Sequence, residues 1–284
     1  MHVILTDTIM EDLMSIKIIK QTIKNNNLTN LFEIINIDRA LIMNNENKIK
    51  YLTITGEEKE ILLSDIDSIT PRVDRYTTLY QSFIQFCSQK KTLKIFNKNL
   101  QMINNKFLSF MKISEFNFIK AIPTKQLNRI NVDSIDSFPV IVKTCEGYSG
   151  LEVFLVKSKK ELVDIYFENK DKDLILQPYR IHGNVDYRAI VVNGKVISAY
   201  KRTAPDNSFK ANASSGGKIK YLSEIDKKLE KIAVDSAKAL KADFVGIDFL
   251  FDGESYEFCE ANNSFRIRKE EQALEILKAY PKII

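Results

Sequence analysis

Two segments near the end of the sequence gather acids at strand-like spacing: Val245-Gly246-Ile247-Asp248-Phe249-Leu250 and Phe258-Cys259-Glu260-Ala261-Asn262. Together they read as a hairpin. Strand side chains alternate, so Glu260 and Asn262 share a face, and Asp248 on the partner strand can meet them there. Two carboxylates and an amide at one point repel unless a cation lies among them. Magnesium bridging a polyphosphate supplies it, because Mg²⁺ takes one or two carboxylates and fills its shell with phosphate and water oxygens. A polar sheet edge with unrelated acids is the alternative that the hairpin alone leaves open.

Lys143 closes the apolar run Phe138-Pro139-Val140-Ile141-Val142 and leads into Thr144-Cys145-Glu146-Gly147-Tyr148-Ser149-Gly150. A lysine leaving a buried strand beside flexible backbone amides can neutralise a phosphate while the amides cover it. Lys106, Asp186-Tyr187-Arg188 and Lys201-Arg202 add charge along the same stretch of chain. Singly, each is equally well read as a solvated or snorkelling side chain.

The elements that must position these groups follow from apolar periodicity. Residues 2–5 read as a strand, 9–24 as a helix with Leu13, Ile16, Ile19 and Ile23 on one face, and 32–37 as a second strand. Residues 40–43 and 48–55 flank Asn44-Asn45-Glu46-Asn47 as a hairpin. A strand at 68–73, a helix at 77–89 and a strand at 93–96 complete an alternating α/β unit with a mainly parallel sheet. A helix capped by Asn99 is expected over 99–111. Strands at 138–143 and 153–156 enclose the glycine loop, and a helix capped by Ser158 follows. Strands at 174–177, 186–192 and 195–202 come next, the last two joined by Asn193-Gly194, a strong hairpin signal. A helix over 223–240, the Asp248/Glu260 hairpin and a helix over 269–279 end the chain.

With 284 residues, 44% of them hydrophobic and 28% charged, the chain has material for two folded domains and is neither disordered nor disulfide-stapled. Its net charge of +5, from 42 basic and 37 acidic residues, is spread over scattered lysines and does not form a nucleic-acid surface. Cys87, Cys145 and Cys259 are odd in number and far apart, which suits a reducing cytoplasm and gives no zinc or disulfide framework. Asp7, Glu11 and Asp12 interrupt any signal peptide, and no run is long enough to span a membrane, so a soluble cytoplasmic protein without a membrane partner is expected. With His2 and His182 as its two histidines, the chain has little material for His-dependent nucleophiles. Oxygen ligands favour magnesium over zinc, with Mn²⁺ as the alternative ion.

The order of these motifs carries more information than any one of them. Lys106, the strand ending at Lys143 with its glycine loop, Leu176-Gln177-Pro178-Tyr179, Asp186-Tyr187-Arg188, Lys201-Arg202, Asn212 ahead of Gly216-Gly217, Gly246-Ile247-Asp248 and Glu260-Ala261-Asn262 resemble the ATP-grasp superfamily, most closely RimK-type glutamate ligases. The resemblance implies an α/β and α+β architecture: an N-terminal α/β pre-ATP-grasp domain over 1–97, then an ATP-grasp domain over 98–284. Two α+β lobes, 98–176 and 177–284, would enclose ATP. It implies that Lys106 and Lys143 bind phosphate and that Glu146, Gly147 and Gly150 belong to the loop over the phosphates. Gln177, Pro178 and Tyr179 would read adenine through backbone groups, with Asp186 on the ribose side. Arg188 and Arg202 would face the γ-phosphate as catalytic cations, Lys210, Ala211 and Asn212 would stand where relatives carry Arg-Ser-Asn, and Asp248, Glu260 and Asn262 would hold Mg²⁺.

Three departures bear on the acceptor and the loop. Leu151-Glu152 replaces Ile-Gly, Lys210 lacks the fork of arginine, and Asn263-Ser264-Phe265-Arg266 replaces a Pro-Gly turn. The expected activity is an ATP- and Mg²⁺-dependent, ADP-forming carboxylate–amine ligation that adds a glutamate-type amino acid to a peptide or small-molecule carboxylate. Ser264, Arg266, Arg268 and Arg72 are the candidates for orienting an acidic substrate. An ester- or amide-forming peptide macrocyclase and a non-catalytic nucleotide-binding regulator are the alternatives, and homo-oligomerisation is left open.

Overall fold

The computed structural model describes residues 1–7, 14–53, 55–73, 77–147, 152–180, 184–206, 208–211 and 216–280. It forms two compact units, one made of Met1–Leu100, Ala242–Phe244 and Asn263–Ile284, the other of Gln101–Lys241 and Val245–Asn262. The expected division near 97/98 counts residues 263–284 with the second domain, whereas here they belong to the first unit. Asn97 gives the reason. Wholly buried, its side-chain oxygen accepts from the amides of Asp243 and Phe244, and its Nδ2 donates to Phe244 O and Asn263 Oδ1. Tyr280 adds to this, 3% exposed against the rings of His2, Phe32, Phe96 and Phe244.

In the first unit, β1 (His2–Thr6) lies between β2 and β6 and is buried at every position, as a strand covered on both faces requires. Helix α1 (Met14–Asn25) buries Ile16, Ile19 and Ile23, and the expected helical residues 9–13 lie outside the described residues. After β2 (Phe32–Asn36), the expected hairpin of β3 (Ala40–Met43) and β4 (Lys48–Leu52) is present, with Asn47 left-handed at φ 51°. It gains a third strand, β5 (Glu58–Leu62), paired with β4 so that Lys48 lies 3.1 Å from Glu60. Then β6 (Ser68–Arg72), helix α2 (Thr78–Cys87) and β7 (Lys94–Ile95) complete a parallel sheet of order β2-β1-β6-β7.

The second unit begins with a correction to the expected 99–111 helix. Its chain forms α3 (Leu100–Asn104) and α4 (Lys106–Ser114), broken where the Asn105 side chain accepts from the amides of Phe107 and Leu108. An asparagine that caps a new helix competes with the intrahelical ladder. Strands β8 (Lys125–Leu127), β9 (Val140–Thr144), β10 (Val153–Val156) and β11 (Leu174–Pro178) form an antiparallel sheet of order β10-β9-β11-β8. Helix α5 (Lys159–Glu168) is capped by Ser158, as expected. Strands β12 (Val185–Val192) and β13 (Lys195–Thr203) turn at Asn193 and Gly194, both at positive φ. With β14 (Lys218–Tyr221), β15 (Phe244–Phe251) and β16 (Tyr256–Asn262) they make a second sheet of order β14-β13-β12-β15-β16. Helix α6 (Lys227–Ala239) starts later than expected because the Asp226 side chain caps it. Among the described residues no helix is long and apolar enough to cross a membrane.

Candidate functional site

Side chains from both sheets of the second unit line an open cleft. The hairpin of β15 and β16 sets Asp248 opposite Glu260, as alternation predicts, and Asn262 Nδ2 donates to Glu260 Oε1 at 3.2 Å. A β-bulge leaves Cys259 without a register partner, between Glu260 opposite Asp248 and Phe258 opposite Phe249. Consecutive strand residues ordinarily face opposite sides, but here Cys259 and Glu260 both line the cleft.

Asp248 is 3% exposed and is gripped by two arginines. Arg188 donates to both its oxygens, and Arg202 Nη2 donates to Oδ2 at 2.8 Å. Arg202 also holds Asp186, through Nε at 2.5 Å and Nη2 at 2.7 Å. Burial resists the ionisation of Asp248, yet the two guanidinium groups hold its pKa well below the carboxylate range. Burial raises that of Asp186 against the pull of Arg202. Both oxygens of Asp186 are thus engaged by Arg202, which differs from the ribose-side role expected of it.

Lys143, 7% exposed at the end of β9, points its ammonium at Cys259 Sγ, 3.5 Å away. Burial alone would lower the lysine pKa, but the negative charges of Glu260 and Asp248 facing it raise it. Burial pushes the Cys259 thiol up to about 11, so at neutral pH the partner of Lys143 is a neutral, weak acceptor. The helix break at Asn105 puts Lys106 on the first turn of α4, where its Nζ donates to Gly147 O at 3.1 Å. Gly147 has φ 148°, and a Cβ there would sit 2.8 Å from Thr144 Oγ1, so only glycine fits. Glu152 accepts from Thr144 Oγ1 at 3.0 Å and pairs with Lys172, which lowers its pKa; its charge is therefore answered on the protein.

Gln177, Pro178 and Tyr179, where the hinge is expected, line the same cleft. Gln177 commits its side chain to Thr124 Oγ1 at 2.8 Å, and Pro178 and Tyr179 follow along the cleft with Ile141 and Leu250 as apolar walls. Arg180 was not anticipated. It lines the cleft with its Nε 3.2 Å from Glu257 Oε2, and its position directly after the hinge tripeptide is the signal that could have marked it.

Lys210 and Ala211 line the cleft, and burial lowers the pKa of Lys210. Glu146 is exposed and outside the lining. Gly150 and Asn212 lie outside the described residues. Arg72, Ser264, Arg266 and Arg268 belong to the first unit.

Glu260 and Asn262 carry carboxylate and amide oxygens of the kind a hard cation takes, whereas both oxygens of Asp248 already accept from Arg188 and Arg202, and Asn262 stands outside the residues that line the cleft. Among the described residues no three carboxylates, imidazoles or thiols form a metal cluster. A buried ammonium held by one thiol keeps donor capacity for phosphate oxygens.

Comparison with known proteins gives the family and the fold. The profile described as a RimK-like ATP-grasp domain matches residues 98–283. An uncharacterized protein, MG011 of Mycoplasma genitalium, is 31% identical over 176 residues, 60% of this chain and 58% of that protein. Human N-acetylaspartylglutamate synthase A is 33% identical over 143 residues, 49% of this chain and 36% of the relative. A probable alpha-L-glutamate ligase 2 of Pseudoalteromonas atlantica is 26% identical over 209 residues, 70% of this chain and 68% of its own length. The chain thus spans little more than half of the first of these relatives and about a third of the second. The ATP-grasp ligase PsnB, solved with a minimal precursor, Mg and ADP, shares the fold with a TM-score of 0.65 at 12% identity over 98% of this chain and 96% of that one.

Proposed function

This chain belongs to the RimK-like ATP-grasp family, and from that premise we propose that it joins a carboxylate to an amine, driven by conversion of ATP to ADP and phosphate. An oxygen of the substrate carboxylate attacks the γ-phosphorus and ADP leaves. The amine nitrogen then attacks the acyl carbon of the acyl phosphate, phosphate leaves and the nitrogen loses a proton. No protein nucleophile is needed. The donated group is a glutamate-type amino acid, and the acceptor is a small-molecule or peptide carboxylate.

The observation that carries this reading is the buried Lys143 ammonium, in one cleft with Asp248 and Glu260 and partnered by a neutral thiol. Lys143 and Lys106 bind phosphate oxygens, and Gly147 lines the cleft beside them. Backbone groups from Gln177 to Tyr179 orient adenine. Arg188 and Arg202 hold Asp248 in place and stabilise charge that develops on the transferred phosphoryl group. Asp248, Glu260 and Asn262 would hold Mg²⁺, which when bound neutralises charge on the β- and γ-oxygens. Residues 101–176 and, apart from 242–244, residues 177–262 act as the two lobes around the nucleotide, and Ser264, Arg266 and Arg268 of the first unit orient the acidic substrate.

The test is to supply the purified chain with ATP, Mg²⁺, L-glutamate and a panel of small carboxylates and acidic peptides, and to follow ADP and product mass together. A product heavier by one amino-acid residue, formed with stoichiometric ADP, is expected. Tight ATP binding without stimulated ADP from any member of the panel would defeat the reading.

A further inference from the structure

In the first unit, Arg72 is 3% exposed and no carboxylate of the described residues pairs with it, unlike Arg188 and Arg202 in the second. Its Nη2 donates to Phe265 O at 2.6 Å, its guanidinium lies 4.9 Å over the Phe265 ring, and its Nε is buried without a partner. Taking a cation out of water costs several kcal/mol unless an anion answers it. A carbonyl oxygen and an aromatic face answer it only in part.

Position in the sheet points the same way by an independent route. The order β2-β1-β6-β7 sends the chain from β1 to one side and from β6 to the other, so the switch point lies between those two strands. Arg72 is the last residue of β6, in register with Thr6, the last of β1. Open parallel sheets take their ligands at this carboxyl edge. The segment that follows β16 is tied to the same edge, with Asn263 Nδ2 donating to Pro71 O at 2.9 Å and Ser264 Oγ to Val73 O at 3.1 Å. That segment brings a second guanidinium with a buried, unpartnered Nε, that of Arg268.

We propose that Arg72 forms an anion site in the first unit, that its ligand is a carboxylate, and that the Phe265 carbonyl oxygen stands in the place of one carboxylate oxygen. The identity of the ligand as a ligase substrate rests on the proposed function; the site itself does not. Carboxylate is favoured over phosphate because the guanidinium already meets one planar sp² oxygen there, and a carboxylate oxygen replaces it in kind.

The experiment measures thermal denaturation of wild type, Arg72→Met and Arg72→Lys, alone and with L-glutamate, diglutamate or inorganic phosphate, with ATP affinity determined by calorimetry on each. Without ligand, Arg72→Met melts at or above wild type, since an uncompensated buried charge is gone. Glutamate or diglutamate raises the wild-type midpoint with concentration, Arg72→Met weakens that response at least tenfold, Arg72→Lys retains part of it, and ATP affinity stays within twofold. A lower melting point for both variants would make Arg72 a structural residue and overturn the proposal. An equal response to phosphate, or a carboxylate response untouched in Arg72→Met, would do the same. Carboxylate binding that depends on Arg72 but evokes no ADP formation would leave this site standing and remove the ligase reading. Carboxylate-stimulated ADP formation indifferent to Arg72 would do the reverse.

Discussion

Asp248 and Glu260 stand opposite one another in the β15–β16 register, yet Asp248 is gripped by two arginines while Arg188 comes no closer than 4.0 Å to Glu260. The two acids should therefore respond differently to removal. Asp248→Ala leaves two buried guanidinium groups facing each other without their shared anion, and breaking a buried pair of this kind costs about 3–5 kcal/mol. Glu260→Ala loses one hydrogen bond to Asn262. The first variant should melt several degrees lower and the second within about a degree of wild type, while both lose substrate-dependent phosphate release. A stable Asp248→Ala, or a Glu260→Ala with normal phosphate release, would refute the assignment.

Lys143 should separate phosphate from base. Its ammonium is buried on a neutral thiol, so Lys143→Met removes a costly charge and keeps the bulk of the stem. Calorimetry should show ATP bound about a hundredfold more weakly, as expected for the loss of charge-assisted hydrogen bonds worth roughly 1.5–3 kcal/mol. Adenosine, held at the hinge, should bind within twofold of wild type. Equal losses for both ligands would make Lys143 a structural residue.

What the sequence made legible, and what it did not, divides along a physical line. The facing of Asp248, Glu260 and Asn262 follows from strand alternation, and the β12–β13 turn from Asn193-Gly194, because both depend on neighbours in the chain. The break at Asn105 is not legible, because a capping asparagine and a mid-helix asparagine look alike until the chain bends. Strand β5, Glu-Lys-Glu-Ile-Leu, has little apolar signal and is supported by pairs such as Lys48 with Glu60, which exist only once the register is set. The grip of Arg202 on both Asp186 and Asp248, and of Arg180 on Glu257, joins residues far apart in sequence. The bulge that turns Cys259 toward the cleft leaves no mark on composition.

Cys259 gives a pH-dependent readout of the same cleft. With burial pushing its thiol up to about 11, its thiolate fraction at pH 7.5 is far below that of an ordinary cysteine near 8.5, and alkylation should be correspondingly slow. The rate should rise roughly tenfold per pH unit toward 11, and ATP should suppress it because Cys259 lines the cleft. Iodoacetamide labelling followed by peptide mass spectrometry measures both. Rapid labelling at neutral pH would mean that Lys143 stabilises a thiolate, and that its donors are already spent.

Arg266 tests how the chain meets an acidic substrate without disturbing its core. It is exposed, between Phe265 and Ile267, each 1% exposed, so the strand-like alternation of this segment buries its neighbours and presents the guanidinium outward. Arg266→Ala should leave the melting temperature within about a degree, since an exposed charge contributes under about 1 kcal/mol. If Arg266 orients the acidic partner, steady-state assays should show the KM for that partner raised about tenfold, the worth of one charge-assisted hydrogen bond, with kcat and the affinity for ATP unchanged. That pattern marks binding lost equally from ground and transition states. A fall in kcat with KM constant would instead place Arg266 in the transfer step itself. Kinetics identical to wild type would remove Arg266 from the acceptor site and leave recognition of the carboxylate to Arg72.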